Sequence, residues 1–535
     1  MNNDFKTALA SKAEADLQNG IKIKFEEDKN RTNTFSFQAT EDVFIDFSKT
    51  HIDADLLECY LDYANDIGLV EKRHAFLSGE HINNSEDRAV LHALLRDADN
   101  QGIEMKNASV LELAQQAKQD FDQQCKALAE SMEKRTIPVR DIIHVGIGGS
   151  SLGTQLLFEA LSGNHPKQKI HFVANIDAHQ LANVLSQCSV DSTLVIGVSK
   201  TFTTAETLQN LNTIEQWFIE AGVASPKDVF IGVTSAPERA QQYGIPEENV
   251  VGFPTWVGGR YSVWSSVSLS AALVLGKDKF DEFLKGAARI DQHFYQTKLD
   301  KNVCFLAAAL DHYYVNFLGS GSKAIFAYDF RLRSLVDYLQ QLETESNGKD
   351  RNVNGEPVEY KTSPVVWGGV GTDVQHSVFQ MLHQGTSLIP AEFILVKQPD
   401  HKYTEHHDVL LANGIAQTAA LLEGQSLEDI ERLHGDEGLT EATKKAKIFA
   451  GNRPSSTVLV ERLTPAALGS LLAFYEHRTF FGGVLTDINS FDQMGVELGK
   501  RLAKEVQPYL QKTAKLREAN FDPSTEALIA RVLDC

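Results

Sequence analysis

At 535 residues, 42% of them hydrophobic and 23% charged, the chain is too long for one core and has the composition of a globular enzyme of two or more domains. Its formal charge of −21 opposes nucleic acid and anionic membrane surfaces, so an anionic substrate needs a local cluster of cations. The five cysteines (Cys59, Cys125, Cys188, Cys304, Cys535) are odd in number and lack metal-ligand spacing, the N-terminus is no secretory signal, and no apolar run approaches the roughly 20 residues of a membrane span; a cytosolic protein is expected.

In chain order, residues 1–136 read mainly as helix, with Leu111, Ala114, Ala117, Phe121, Cys125, Leu128 and Met132 at helical spacing. Within them, Asn83–Arg88 leads into Ala89-Val90-Leu91-His92 and reads as a capped structural helix. From Asp141 strands and helices alternate, with strands expected at 142–146, 170–174, 193–198 and 228–233. Such alternation means a parallel sheet covered on both faces, with ligands beyond the carboxyl ends of its strands. Residues 280–314 read as helix bridging two domains. A second alternating unit has strands at 323–328, 364–367, 392–397 and 456–460, and helices at 331–345, 372–384, 408–422 and 464–476.

The chain is organised around Asp141–Gly153. A short apolar strand (Ile142, Ile143, Val145) runs into Gly146, Gly148, Gly149, Ser150 and Ser151, and a helix opens by Thr154. Backbone N–H groups and the dipole at such a turn favour an oxyanion, most often a phosphate. A dinucleotide fingerprint fits less well, because its third glycine position falls on Ser151, and no Gly-Lys-Ser/Thr closes a Walker loop. The third strand of the same unit ends in Ser199-Lys200-Thr201-Phe202-Thr203-Thr204, a hydroxyl-rich loop that makes a second wall for the same anion. Thr203 and Glu206 have capping-box spacing and place a helix start there.

Four further places carry candidate chemistry. Arg260 stands on the glycine-flanked turn Gly258–Ser262. Gln341 and Glu345 lie side by side at the edge of the apolar stripe of helix 331–345, and Glu345 sits where the helix stops, in the setting of a general base. Thr372 and Gln375 have capping-box spacing, which puts His376 in a first helical turn where a neutral imidazole can exchange protons with a hydroxyl. Ser490–Gln493 opens a further helix and puts Gln493 and Lys500 two turns apart on one face. His401, Glu405, His406 and His407 match no metal-ligand spacing, so no metal is expected.

Taken together, Gly146–Gly153, Ser199–Thr207, Val257–Ser265, Glu345–Lys349, Gln375-His376 and Phe491–Lys500, with Asn83–Arg96 and Gly451–Pro454, resemble the glucose-6-phosphate isomerase family over nearly the whole chain. The resemblance implies an α/β fold of two flavodoxin-like α/β/α sugar-isomerase domains with largely parallel sheets. Their expected bounds are 137–275 and 316–500, with helical regions at 1–136, 276–315 and 501–535. It implies interconversion of glucose 6-phosphate and fructose 6-phosphate through a cis-enediol, in glycolysis and gluconeogenesis, by a homodimer with shared active sites and no cofactor. In the implied roles Gly149, Ser150, Ser199, Lys200, Thr201 and Thr204 hold the phosphate, and Glu345 moves the proton between C2 and C1. His376, from the partner subunit, opens the ring with Lys500; Arg260 stabilises the enediolate; Gln341 and Gln493 line the pocket. The chain departs from the commoner pattern at Ser151 (often Asp), Ala205 (often Gln) and Gly369–Val374. A non-catalytic sugar-phosphate sensor is the reading from another class, and an isomerase that also accepts mannose 6-phosphate is the one within it.

Overall fold

The computed structural model describes residues 3–96, 108–164, 166–434, 438–514 and 520–533, and among these the strands form two sheets. The strands are β1 (Ser36–Thr40), β2 (Val43–Asp46), β3 (Asp141–Val145), β4 (Lys169–Val173), β5 (Thr193–Val198), β6 (Phe230–Thr234), β7 (Val250–Gly252), β8 (Ser322–Tyr328), β9 (Val365–Val370), β10 (Ala391–Gln398) and β11 (Ser455–Arg462).

The first sheet has the order β4-β3-β5-β6-β7 and every pairing is parallel. Numbered from β3 this is 2-1-3-4-5, the flavodoxin-like order. Its central strands are buried on both faces, which is why they read as largely apolar runs; all six residues of β5 are buried. Ile143, Val145, Val195, Leu211, Ile214 and Phe230 anchor the core on one face. The four expected strands are present, and β7, too short to show a periodicity, is added at the edge.

The second sheet has the order β1-β2-β11-β10-β8-β9. Strands β8 to β11 are parallel, again in the 2-1-3-4 arrangement, and β2 joins β11 antiparallel with β1 hairpinned onto it. The helical reading of residues 1–136 is corrected here: the hairpin 36–46 belongs to the second sheet, to which it lends an edge. Nor is 89–96 a capped helix. A turn bridged between Asn83 and Arg88 is followed only by a 3-10 turn, His92–Leu95.

The expected bridging helix is two helices, Lys277–Gln296 and Val303–Asn316, separated at Asn302, whose side chain caps the second by accepting from the N–H groups of Cys304 and Phe305. Both pack on helix Pro465–Leu485, which is apolar nearly all round and therefore buried. The crossing of 277–296 with 465–485 needs paired glycines: a Cβ on Gly286 would lie 1.9 Å from the Ala466 carbonyl oxygen, and one on Gly469 2.0 Å from that of Phe283.

Residues 1–490 form one compact unit and 491–535 a second, so the last ten residues of the expected second domain go with the C-terminal helices. In that second unit a 3-10 turn (Met494–Val496) precedes helices Glu497–Leu510 and Pro523–Leu533. Among the described residues no helix is long and apolar enough to cross a membrane.

Candidate active site

Because β3 and β5 are parallel neighbours, with Val145 opposite Gly197, their carboxyl ends deliver Gly146–Ser151 and Ser199–Thr204 side by side. This is the point where the strand order reverses, the place where such sheets bind ligands.

The first loop is a 3-10 turn, Gly148–Ser150, ahead of helix Leu152–Leu161. It is held from behind. His144 is buried, and burial pushes its pKa down to about 4, so the ring is neutral. Its Nε2 lies 2.7 Å from the Ser150 carbonyl, which can only accept; Nε2 therefore carries the proton, and Nδ1 accepts from Ser270 Oγ at 2.9 Å. Ser262 Oγ donates to the Gly149 carbonyl at 3.1 Å. With both carbonyls held on the protein side, an anion at the turn meets N–H groups rather than oxygen lone pairs. Gly149 has no room for a side chain: a Cβ would stand 2.2 Å from the Gly259 carbonyl carbon. Ser151, one of the departures from the family pattern, is fully buried and its Oγ has no hydrogen-bond partner among the described residues.

In the second loop Ser199 Oγ and Thr204 Oγ1 are 3.0 Å apart, and Thr201 Oγ1 and Thr203 Oγ1 2.7 Å. The capping box expected at Thr203 does not form. Helix Ala205–Glu220 begins after Thr204, which makes no side-chain cap, so the hydroxyls face one another instead of the helix backbone. Lys200 Nζ donates to the Val257 carbonyl at 2.9 Å. Burial pushes its pKa down to about 8, with Arg88 adding to the fall and Glu86 opposing it.

Against this cradle lies the end of helix Leu335–Asn347. A Cβ on Gly148 would meet Gln341 Nε2 at 3.1 Å, and that nitrogen donates to Glu345 Oε2 at 2.8 Å. Arg260 is 2% exposed and holds Nη1 3.7 Å from Glu345 Oε1. The structure thus brings Glu345, Gln341, Arg260 and the Gly148–Gly149 turn together.

His376 is elsewhere. The expected helix 372–384 is broken into a 3-10 turn, Asp373–His376, and a short helix, Phe379–Gln384, so His376 ends a turn rather than opening a helix, and it is exposed. A turn at Ser377 and Val378 interrupts the run. His383, in that short helix, has its Nε2 3.0 Å from Gln417 Oε1. The helix carrying Glu345 runs back to the amino end of β9, where the N–H of Lys349 donates to Thr362 Oγ1 at 3.2 Å, whereas His376 follows the carboxyl end of β9. Roughly 17 Å of strand separates those ends.

In the C-terminal unit Gln493 precedes the helix instead of sharing a face with Lys500, because the helix starts only at Glu497. Lys500 is exposed and 3.2 Å from Glu497. His401, Glu405, His406 and His407 do not gather; among the described residues the one cluster of three possible metal ligands is Asp141, His171 and Cys188, in which His171 Nε2 already bonds Asp141 at 2.8 Å.

Sequence reasoning missed the buried groups beneath the site. Glu476 accepts from Trp264 Nε1 at 2.8 Å, pairs with Arg96, and lies 3.4 Å from His92 Nε2; Arg96 also bonds Asp291 at 2.6 Å. Burial, with Arg96, His477 and Arg260 nearby, pushes the His92 pKa far down and keeps it neutral. A charged arginine and two carboxylates are tolerated there because they pair. The signal in the sequence was polar residues set into apolar stretches: His92 and Arg96 in the first, and Glu476-His477-Arg478 in the second.

Hydroxyl-rich anion loops at a switch point, faced by a carboxylate and a buried arginine, define an α/β enzyme that handles small phosphorylated substrates by moving protons. The comparisons agree. A family model described as phosphoglucose isomerase matches residues 46–529. The chain is 42% identical over 495 residues to a glucose-6-phosphate isomerase from Sphingopyxis alaskensis, covering 92% of each chain. It is 40% identical over 515 residues to one from Zymomonas mobilis, covering 96% of this chain and 95% of that one. A crystal structure of a glucose-6-phosphate isomerase from Chlamydia trachomatis matches with a TM-score of 0.84 at 30% identity over 98% of each chain. The chain belongs to the phosphoglucose isomerase family.

Proposed function

We propose that this chain is an aldose–ketose isomerase that interconverts glucose 6-phosphate and fructose 6-phosphate, with Glu345 as the base. The observation that carries the reading is the placement of Glu345, bridged by Gln341, against the Gly148–Gly149 turn of an anion cradle. A phosphate held by Gly149, Ser150, Ser199, Lys200, Thr201 and Thr204 leaves the other end of an open-chain sugar to reach the carboxylate. Glu345 takes the C2 proton beside the carbonyl and returns it to C1 of the cis-enediol. Arg260 offsets the negative charge that develops on the enediolate oxygens. The family resemblance gives Gln493 and Lys500 their parts, Gln493 as a pocket residue and Lys500 as an aid to ring opening.

His376 is read as serving the site of a second copy in a homodimer. The support is its position beyond the opposite end of β9 from Glu345, too far for both to act on one hexose. The free thiols of Cys59, Cys125, Cys188 and Cys304 fit a reducing compartment such as the cytosol.

A coupled assay offering glucose, mannose and glucosamine 6-phosphates in turn tests the activity: turnover of glucose 6-phosphate is expected, and binding without turnover would make the chain a sensor. Mixing inactive His376→Ala and Glu345→Gln proteins under subunit exchange tests the shared site, with about half-site activity expected in heterodimers. No recovery despite proven exchange would mean that each chain holds a complete site.

A further inference from the structure

We propose that Ser346 and Tyr261 are positioning residues for the proton transfer: a closed loop of hydrogen bonds through their hydroxyls sets the Arg260 guanidinium against Glu345. The inference rests on the reading of Glu345 as base and Arg260 as its cationic neighbour. Arg260 Nε lies 2.6 Å from Ser346 Oγ, Ser346 Oγ is 2.8 Å from the Tyr261 hydroxyl, Tyr261 is 3.2 Å from the Ser490 carbonyl, and Arg260 Nη2 is 2.6 Å from that same carbonyl.

The chemistry of the two ends fixes every proton in the loop. A guanidinium can only donate and a carbonyl can only accept. Ser346 Oγ therefore accepts from Nε and donates to Tyr261, and Tyr261 donates to Ser490. Two corners of the guanidinium, Nε and Nη2, are held by the loop, and the third, Nη1, is the one turned toward Glu345 at 3.7 Å. Every member is buried, so water does not compete for these bonds. The Tyr261 ring is itself held, stacked on His92 with centroids 4.6 Å apart, and burial pushes its pKa up so that the phenol stays a neutral donor.

The arrangement solves a problem of distance. An arginine in direct bidentate contact with the base would tie up both carboxylate oxygens and weaken it as a proton acceptor. One held off at 3.7 Å leaves the oxygen usable while its charge still acts on the enediolate. Ser346 follows Glu345 in the same last helical turn, so the loop ties the arginine to the very segment that carries the base.

The experiment compares Tyr261→Phe, Ser346→Ala and the double variant in the full chain, each checked by thermal melting. Each single loss of a hydroxyl opens the loop, and kcat should fall roughly 10–100-fold with KM for the sugar phosphate within about twofold. Exchange of the C2 proton with deuterated solvent should slow in step with kcat. The double variant should be no slower than the slower single one, since both hydroxyls act on Arg260 only through the same loop and one break already opens it. Full kcat in either folded single variant, multiplying losses in the double, or a loss confined to KM would overturn the proposal. If instead Glu345→Gln keeps wild-type exchange of the C2 proton, it is the assignment of the base that fails.

Discussion

In the first sheet the chain reverses strand order between β3 and β5, and the carboxyl ends there open into glycine and hydroxyl loops that a phosphate can fill. The second sheet reverses at the equivalent place, between β8 and β10, but side chains close it: Arg331 bonds Asp329 at 2.6 Å and also pairs with Asp400, which lies 3.3 Å from Arg462. The proposed contribution of the second sheet comes from the other side, through helix Leu335–Asn347, which returns from β8 to the amino end of β9 and carries Glu345 in its last turn. In the proposed reading two sheets that share a parallel 2-1-3-4 core divide the labour, one holding the anion and the other bringing the base. The rule that ligands gather at switch points locates a site only where the loop chemistry leaves it open.

The division can be broken from either side. The largest effect should come from the base. Glu345→Gln keeps the shape of the helix end and the contact with Gln341 but cannot take a proton, so kcat should drop by roughly 10²–10⁴ while phosphate affinity and melting temperature hold. Deuterium uptake at C2 reports this directly; uptake at the wild-type rate would move the base elsewhere.

Loss of a phosphate hydroxyl should act the other way. Thr204→Val removes the partner of Ser199 Oγ and should cost about 1–3 kcal/mol, seen mainly in KM. A collapse of kcat at unchanged KM would show that the two sheets do not divide the work as described.

Smaller still is the expected pH effect on binding. Lys200 has its pKa lowered to about 8, so it is charged below that pH and neutral above it. A sugar phosphate becomes a dianion above about pH 6. KM should therefore be lowest between these values and rise above pH 8 by up to about tenfold per unit, as the cation is lost. Bound phosphate favours the charged lysine, so kcat at saturation should move less. Lys200→Met should flatten the alkaline rise.

The smallest effect belongs to the closed switch point. Arg331→Gln should leave kcat/KM within about twofold, since a partly exposed ion pair is worth about 1 kcal/mol or less and the residue lies outside the proposed site. A large loss would mean that this switch point also binds ligand. Exhaustive chelation should likewise leave the rate unchanged; a loss restored by a divalent ion would overturn the metal-free reading.

Much of this division was legible in the residues. The parallel strands are apolar runs because both faces are covered, the anion cradle shows as clustered glycines and hydroxyls, and the pairing of Gln341 with Glu345 follows from helical geometry alone. Local patterns also misled where tertiary contacts override them. Capping-box spacing at Thr203 and Thr372 produced no cap, because hydroxyls in the first case and a 3-10 turn in the second took the backbone another way. The hairpin 36–46 was hidden because strands this short carry too few residues to show a period, and only the exposed edge of β11, some 400 residues later, gives them a partner. The sequence by itself determined the apolar strands and the segments in which the candidate residues stand. Tertiary structure alone decided which ends of the two sheets meet, why Glu345 and His376 stand at opposite ends of β9, and how Ser346, Tyr261 and Ser490 aim Arg260, because those relations join residues up to 230 positions apart through space rather than along the chain.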